Sequence, residues 1–310
     1  MNLPSMIRRG AFVLTLSLTA LPLSPFVSAR AQSLEEMAVM AMNIGQEDLL
    51  KKALERGANA NGRVADHTLL GYAVLTGRAG AVSTLVRRGA DINLPTGPAN
   101  QQRPPLALAL QTNRQDYDMF DMTLALLRLG ADPKTLQALP ARSAIQFAHL
   151  TLYQAVLAAG GSPSDPGPGG KMVFHFVVEA TSEALRRALT GCERGQLDRL
   201  QALEKMLAVS ITEGADLTKP INGRPLLSYA LSNGMFDFAD AILGAGVSAT
   251  QAGSDNQRPI QIAYNYALPN GERCSGSAEE LAWRPAFRSE VVIAQEKMTG
   301  RLLRSMLQSP

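Results

Sequence analysis

TLLGYAVLTGRAGAVSTLVRRGADIN, Thr68 to Asn93, decides the reading of this chain, because the rest of it repeats the stretch imperfectly. Leu70, Ala73 and Val74 fall on one face of a helix that opens near Leu69. Val82, Leu85 and Val86 fall on one face of a second, at the i, i+3, i+4 spacing that lines side chains up on a helix. Gly77 to Gly80 predicts the turn between them. Gly89 predicts the stop, since a glycine after the last apolar turn enters the left-handed cap conformation at little cost. Ala90-Asp91-Ile92-Asn93 then leads into a connector, so the stretch predicts one helix-turn-helix unit.

The stop recurs as Arg56-Gly57-Ala58-Asn59, Leu129-Gly130-Ala131-Asp132, Ala159-Gly160-Gly161-Ser162, Glu213-Gly214-Ala215-Asp216 and Ala245-Gly246-Val247-Ser248. Gly57 to Gly89 and Gly214 to Gly246 are both 32 positions apart. A matching helix start recurs as TLLGYA (Thr68 to Ala73), PPLALA (Pro104 to Ala109), SAIQFA (Ser143 to Ala148), MVFHFV (Met172 to Val177), PLLSYA (Pro225 to Ala230) and RPIQIA (Arg258 to Ala263). In phase with the stops, these make residues 34 to 265 resemble the ankyrin repeat family, whose unit of about 33 residues carries T-P-L-H-x-A at its first helix. Only His175 keeps that histidine. The resemblance implies an all-α solenoid of about six to seven helix-turn-helix units with hairpin-like connectors. It also implies a surface that grips a protein without cofactor or catalytic residue.

The departures from the pattern matter too. From the first-helix Ala or Val to the closing glycine takes 16 residues between Ala73 and Gly89 and again between Ala230 and Gly246, but 37 between Val177 and Gly214. The excess falls within Thr181 to Leu200, a helix-prone charged segment expected to lengthen both helices of its repeat. The second repeat gains residues around Asp116 to Asp121, and Ala148 to Gly160 predicts a shortened third repeat of 12. The run 162–170, SPSDPGPGG, excludes helix and central strand and is expected to be a flexible hairpin and a joint between repeats 67–161 and 171–265. Residues 266–310 predict a loop and a final helix from Arg288 to Gln308 that caps the stack. Residues 32–66, polar on one side, predict the opposite cap.

Arg8-Arg9, the apolar run Ala11 to Val27 and Ala29-Arg30-Ala31 match the charged, apolar and cleavage regions of a signal peptide over 1–31. A periplasmic or secreted protein cut near Ala31 is therefore expected, with no membrane span left after cleavage. The chain has 30 basic and 27 acidic residues, and 1–31 holds three arginines and no acid. Removing them leaves 27 of each, so composition argues against nucleic acid as a partner. A monomer is expected.

Enzyme signatures are missing from the sequence: His67, His149 and His175 fall in no H-E-x-x-H pattern, and G-x-S-x-G, C-x-x-C and P-loop motifs do not occur. No catalytic residue, cofactor site or metal site is expected. Cys192 and Cys274, alone in an exported chain, are either a disulfide closing a span of 82 or two thiols. Three residues before each motif leucine equivalent stand His67, Arg103, Arg142, Lys171 and Arg224. In the family resembled, that position ends the connector on the concave side, so the five are either a docking strip for an acidic protein surface or an ordinary polar edge. The function expected is non-catalytic protein binding in the cell envelope. The alternatives are an immunity or inhibitor protein that masks a toxic enzyme, and an activity carried by Tyr266 to Pro310.

Overall fold

The computed structural model describes residues 33–111, 119–250, 257–271, 274–275, 277 and 281–308. The expected signal peptide lies outside them, as does the first half of the expected gain in the second repeat, 116–118. The described residues are all-α apart from one small hairpin, β1 (Arg63–Val64) and β2 (His67–Thr68), and a few isolated bridges. Helices follow one another as α1 (Leu34–Ile44), α2 (Glu47–Glu55), α3 (Leu69–Leu75), α4 (Ala79–Arg87), α5 (Pro105–Gln111), α6 (Met119–Arg128), α7 (Leu139–Gln146) and α8 (Leu150–Ala158). Then come α9 (Val173–Thr190), α10 (Gly195–Thr212), α11 (Leu226–Ser232), α12 (Phe236–Gly244), α13 (Pro259–Asn265) and α14 (Trp283–Gln308).

Each odd helix packs on the even helix that follows it, and the pairs stack in two rows. In one row α1, α3, α5, α7 and α9 touch in sequence, and α11 touches α13; in the other, α2, α4, α6, α8 and α10 do, and α12 packs on α14. The cause is local and repeated. Gly57, Gly89, Gly130, Gly160, Gly214 and Gly246 each take φ between 83° and 103°. Each gives its N–H to the carbonyl three residues back while the next residue reaches five back, as in Ala90 N–H to Leu85 O at 3.0 Å and Ala215 N–H to Ser210 O at 2.9 Å. That is a Schellman cap, which satisfies helix-end carbonyls otherwise left without a partner. A Cβ at any of these six glycines would meet nothing within 4 Å. Glycine is required there by the backbone angle and not by crowding.

The same bonds correct the reading of the third repeat. Gly77 ends α3 at φ 69°, with Arg78 N–H on Ala73 O at 2.9 Å; Ala148 ends α7 at φ 53°, with His149 N–H on Ala144 O at 2.8 Å. Ala148 thus stands where Gly77 stands, α7 starts at Leu139, and Ser143 to Ala148 is not a helix start. Counted from Ala144, the run to Gly160 is the same 16 residues as from Ala73 to Gly89, so the repeat is not shortened. The slip of four arises because a one-turn shift keeps the same apolar face. An alanine at left-handed φ, costing about 1–2 kcal/mol, also hides the turn.

The connector 162–170 is not a break either. Gly167 N–H bonds Lys171 O at 2.7 Å, Phe174 N–H bonds Pro163 O at 2.8 Å, and both helix rows pack across it. A buried bond between Tyr153 Oη of α8 and Ser210 Oγ of α10, 2.7 Å long, crosses the same junction; burial pushes the Tyr153 phenol up to about 12. The looser seam comes one repeat later, between α10 and α12, where the second-helix row lacks the close packing of its earlier steps. The extra residues of the fourth repeat lengthen both helices, α9 and α10 being 18 residues each against 7 and 9 in α3 and α4.

Core burial gives a direct expectation. Leu85 is fully buried between neighbouring units, and Leu85→Ala should lower unfolding free energy by about 2–5 kcal/mol in urea titration. A loss under about 1 kcal/mol would place the side chain outside the core.

Candidate functional site

The five residues of the basic column divide in two. His67 is half-buried, its Nδ1 3.3 Å from Thr96 Oγ1 and its ring 5.4 Å from that of Tyr72. Lys171 holds Glu179 at 2.5 Å, and Asn222 also donates to Glu179 at 2.9 Å. His67 thereby joins two neighbouring connectors, and Lys171 reaches the next one only through Glu179 of α9. Arg103, Arg142 and Arg224 are exposed. Arg103 closes the bridge with Thr96 and donates to Gln111; Arg224 closes the tight turn Ile221-Asn222-Gly223-Arg224, whose two central residues both have positive φ. Arg142 departs from the expectation because of the one-turn slip. It lies within α7 and not on a connector, with its guanidinium 5.0 Å above the Phe176 ring.

Connector positions are held by cross-repeat bonds. Asn61 Nδ2 donates to Gly89 O while Asn61 Oδ1 accepts from Asp91 N–H at 2.7 Å, and Asn93 Oδ1 accepts from Asp132 N–H at 3.0 Å. Arg63 donates to Pro95 O and Gly97 O. The first three connectors are thereby keyed one to the next, which makes a stiff edge at that end. The other histidines are spent on helix starts: His149 Nδ1 accepts from Leu152 N–H at 3.1 Å, and His175 Nδ1 accepts from Met172 N–H at 3.3 Å. On the fourth-repeat extension, Arg186 and Arg187 both hold Glu183, which keeps that carboxyl down at about 2.

Cys192 and Cys274 are bonded as a disulfide, with Cα atoms 5.5 Å apart. The bond joins the tip of the α9–α10 hairpin to the loop before α14. Beside it, Arg288 donates to Leu189 O at 2.8 Å and Arg284 to Thr190 O at 3.3 Å, so two cations of α14 cap the last carbonyls of α9. The distance between non-neighbouring repeats is spanned because α9 and α10 run about three turns beyond their counterparts and α14 leans back over α12.

Between these elements opens a cleft of about 580 Å³. Its walls come from α9 and α10 (Leu185, Leu200, Leu207, Ile211), α12 (Phe236, Phe238) and α14 (Trp283, Phe287, Val291). Glu204, Asp237 and Glu290 stand at its mouth, and among the described residues no lysine or arginine lines it. Glu204 is open to solvent through the mouth yet surrounded by protein. That desolvation, with Asp237 adding repulsion, pushes its carboxyl up to about 7. Sequence reasoning missed the cleft: the apolar faces of α10 and α14 are weak, and nothing in either segment says that they face one another across a gap.

A pH-dependence follows. Glu204 ordinarily titrates near 4.5 and in the fold near 7, so between those values the folded chain binds more protons than the unfolded one. Stability from this group falls as pH rises through that window. Glu204→Gln should therefore raise the thermal midpoint at about pH 8 and leave it unchanged at about pH 4. An equal effect at both would mean the carboxyl is not desolvated.

No family model matches the chain, and none of the curated proteins compared with it does.

Proposed function

We propose that the chain is an ankyrin-type solenoid, exported to the periplasm or beyond after cleavage near Ala31, that binds a protein partner and catalyses nothing. The observation that carries the reading is the six-fold Schellman stop, joined over the first three connectors by side-chain bonds that key each to the next. A rigid row of this kind loses little conformational freedom when a partner docks, which is where affinity is otherwise lost. Of the five residues of the basic column, Arg103 and Arg224 on connectors and Arg142 on α7 keep an exposed charge. Three such charges suit an acidic partner surface. The Cys192–Cys274 disulfide supports an oxidising compartment. The test is capture of a partner from envelope extract by the chain from Gln32, released by raised salt and not captured by a variant with these three charges reversed. A chain that recovers nothing above an unrelated helical control, or that is found reduced in the cytosol, overturns the reading.

A further inference from the structure

The cleft between the α9–α10 hairpin, α12 and α14 is larger than packing defects account for. Close-packed interiors leave few voids bigger than a water molecule, whereas about 580 Å³ lies in the range of small-molecule sites, roughly 300–1,000 Å³. Its floor is aliphatic and aromatic, and water held against such a surface is released favourably when an apolar body replaces it. Its mouth carries Glu204, Asp237 and Glu290 with no cation among the described lining residues. Three carboxylates over an apolar floor repel one another unless a positive charge joins them, and they disfavour a fatty acid or any other anionic amphiphile.

We propose that this cleft binds a small amphiphilic organic cation, its apolar tail along Leu200, Leu207 and Phe238 and its ammonium group at the mouth between Glu204, Asp237 and Glu290. The rings of Trp283, Phe287 and Phe236 in the same walls suit the head group as well, since an ammonium ion is attracted to aromatic faces. A small molecule is favoured over a partner's side chains because the cleft is walled by three separate elements and roofed by a helix that the Cys192–Cys274 bond ties down. The site is independent of the arginine edge: its chemistry is acidic where that edge is basic.

Charge makes the test decisive without any mutation. Decyltrimethylammonium and decanoate share a tail and differ in the sign of the head, and both are used below their micelle concentrations. Calorimetry at about pH 8, with Glu204 ionised, should give saturable binding of the cation at least about tenfold tighter than of the anion. Trp283 is the single tryptophan of the chain and lies in the wall, so its emission should shift along the same curve. Glu204→Gln combined with Asp237→Asn should weaken the cation by about tenfold and leave decanoate unchanged or tighter. Equal affinity for the two probes in the wild-type protein overturns the proposal, as does heat with no change in Trp283 emission, which would place the binding elsewhere. Binding of neither probe, with Trp283 instead shielded when a captured protein partner is added, would assign the cleft to a segment of that partner and overturn it as well.

Discussion

Reducing the Cys192–Cys274 disulfide should lower the thermal midpoint by on the order of 10 °C and shift the emission of Trp283. The bond closes a separation of 82 residues. In the chain-entropy description such a closure stabilises the folded state by up to about 4.5 kcal/mol, and for a chain of this size each kcal/mol moves the midpoint by about 2–4 °C. The effect should be largest at one end of the molecule. Apart from the disulfide, the hairpin tip is held to α14 by Arg284 on Thr190 O and Arg288 on Leu189 O. Those bonds depend on α14 staying docked, so freeing Cys274 should raise amide exchange in α13 and α14 while α3 to α6 keep their protection. Cys192→Ser with Cys274→Ser should reproduce the reduced protein without reagent. Superimposable melting curves for oxidised and reduced protein, with Trp283 unmoved, would mean that packing of α14 on α12 alone holds the end in place.

What the sequence discloses of this molecule is whatever repeats. The stops at Gly89, Gly214 and Gly246 are legible because a left-handed φ admits few residues besides glycine, and the apolar faces of α3, α4 and α11 are legible because helix period and burial coincide. The third repeat is misread where the rule is locally broken, at Ala148, which takes φ 53° without being glycine. The connector 162–170 is legible as a hairpin, since its prolines and glycines exclude helix, but not as a packed junction: its bonds through Gly167 and Phe174 and the helix rows that pass it leave no joint there. Of the basic column, position is readable from spacing except at Arg142, which lies in α7, and partnership is not readable: Lys171 is occupied by Glu179 of the helix that follows it and His67 by Thr96 of the next connector. The cleft lies beyond sequence reading altogether, because Glu204, Asp237 and Glu290 come from three helices.

Reversing Arg103, Arg142 and Arg224 to Glu should abolish recovery of the partner while leaving the fold intact. Among the described residues the Arg103 side chain bonds Gln111, and Arg142 stacks on Phe176 in the open. An exposed stacked cation contributes about 0.5–1 kcal/mol, so the triple variant should stay within about 1–2 kcal/mol of the wild type in urea. Binding responds differently, because each reversal replaces an attraction to an acidic surface by a repulsion of similar size. At about 0.5–1 kcal/mol per exposed charge, three reversals weaken association by about 100-fold or more. The attraction is screened over about 10 Å at 0.1 M salt, so wild-type association should fall steeply with ionic strength while the variant, if it binds at all, should gain slightly. Reversing Lys171 as a control separates the two roles: the loss of its bond to Glu179 should reduce stability more than it reduces binding. Equal recovery of the same partner by the triple variant would remove the arginine edge from the interface and leave the connector row as a solvated surface.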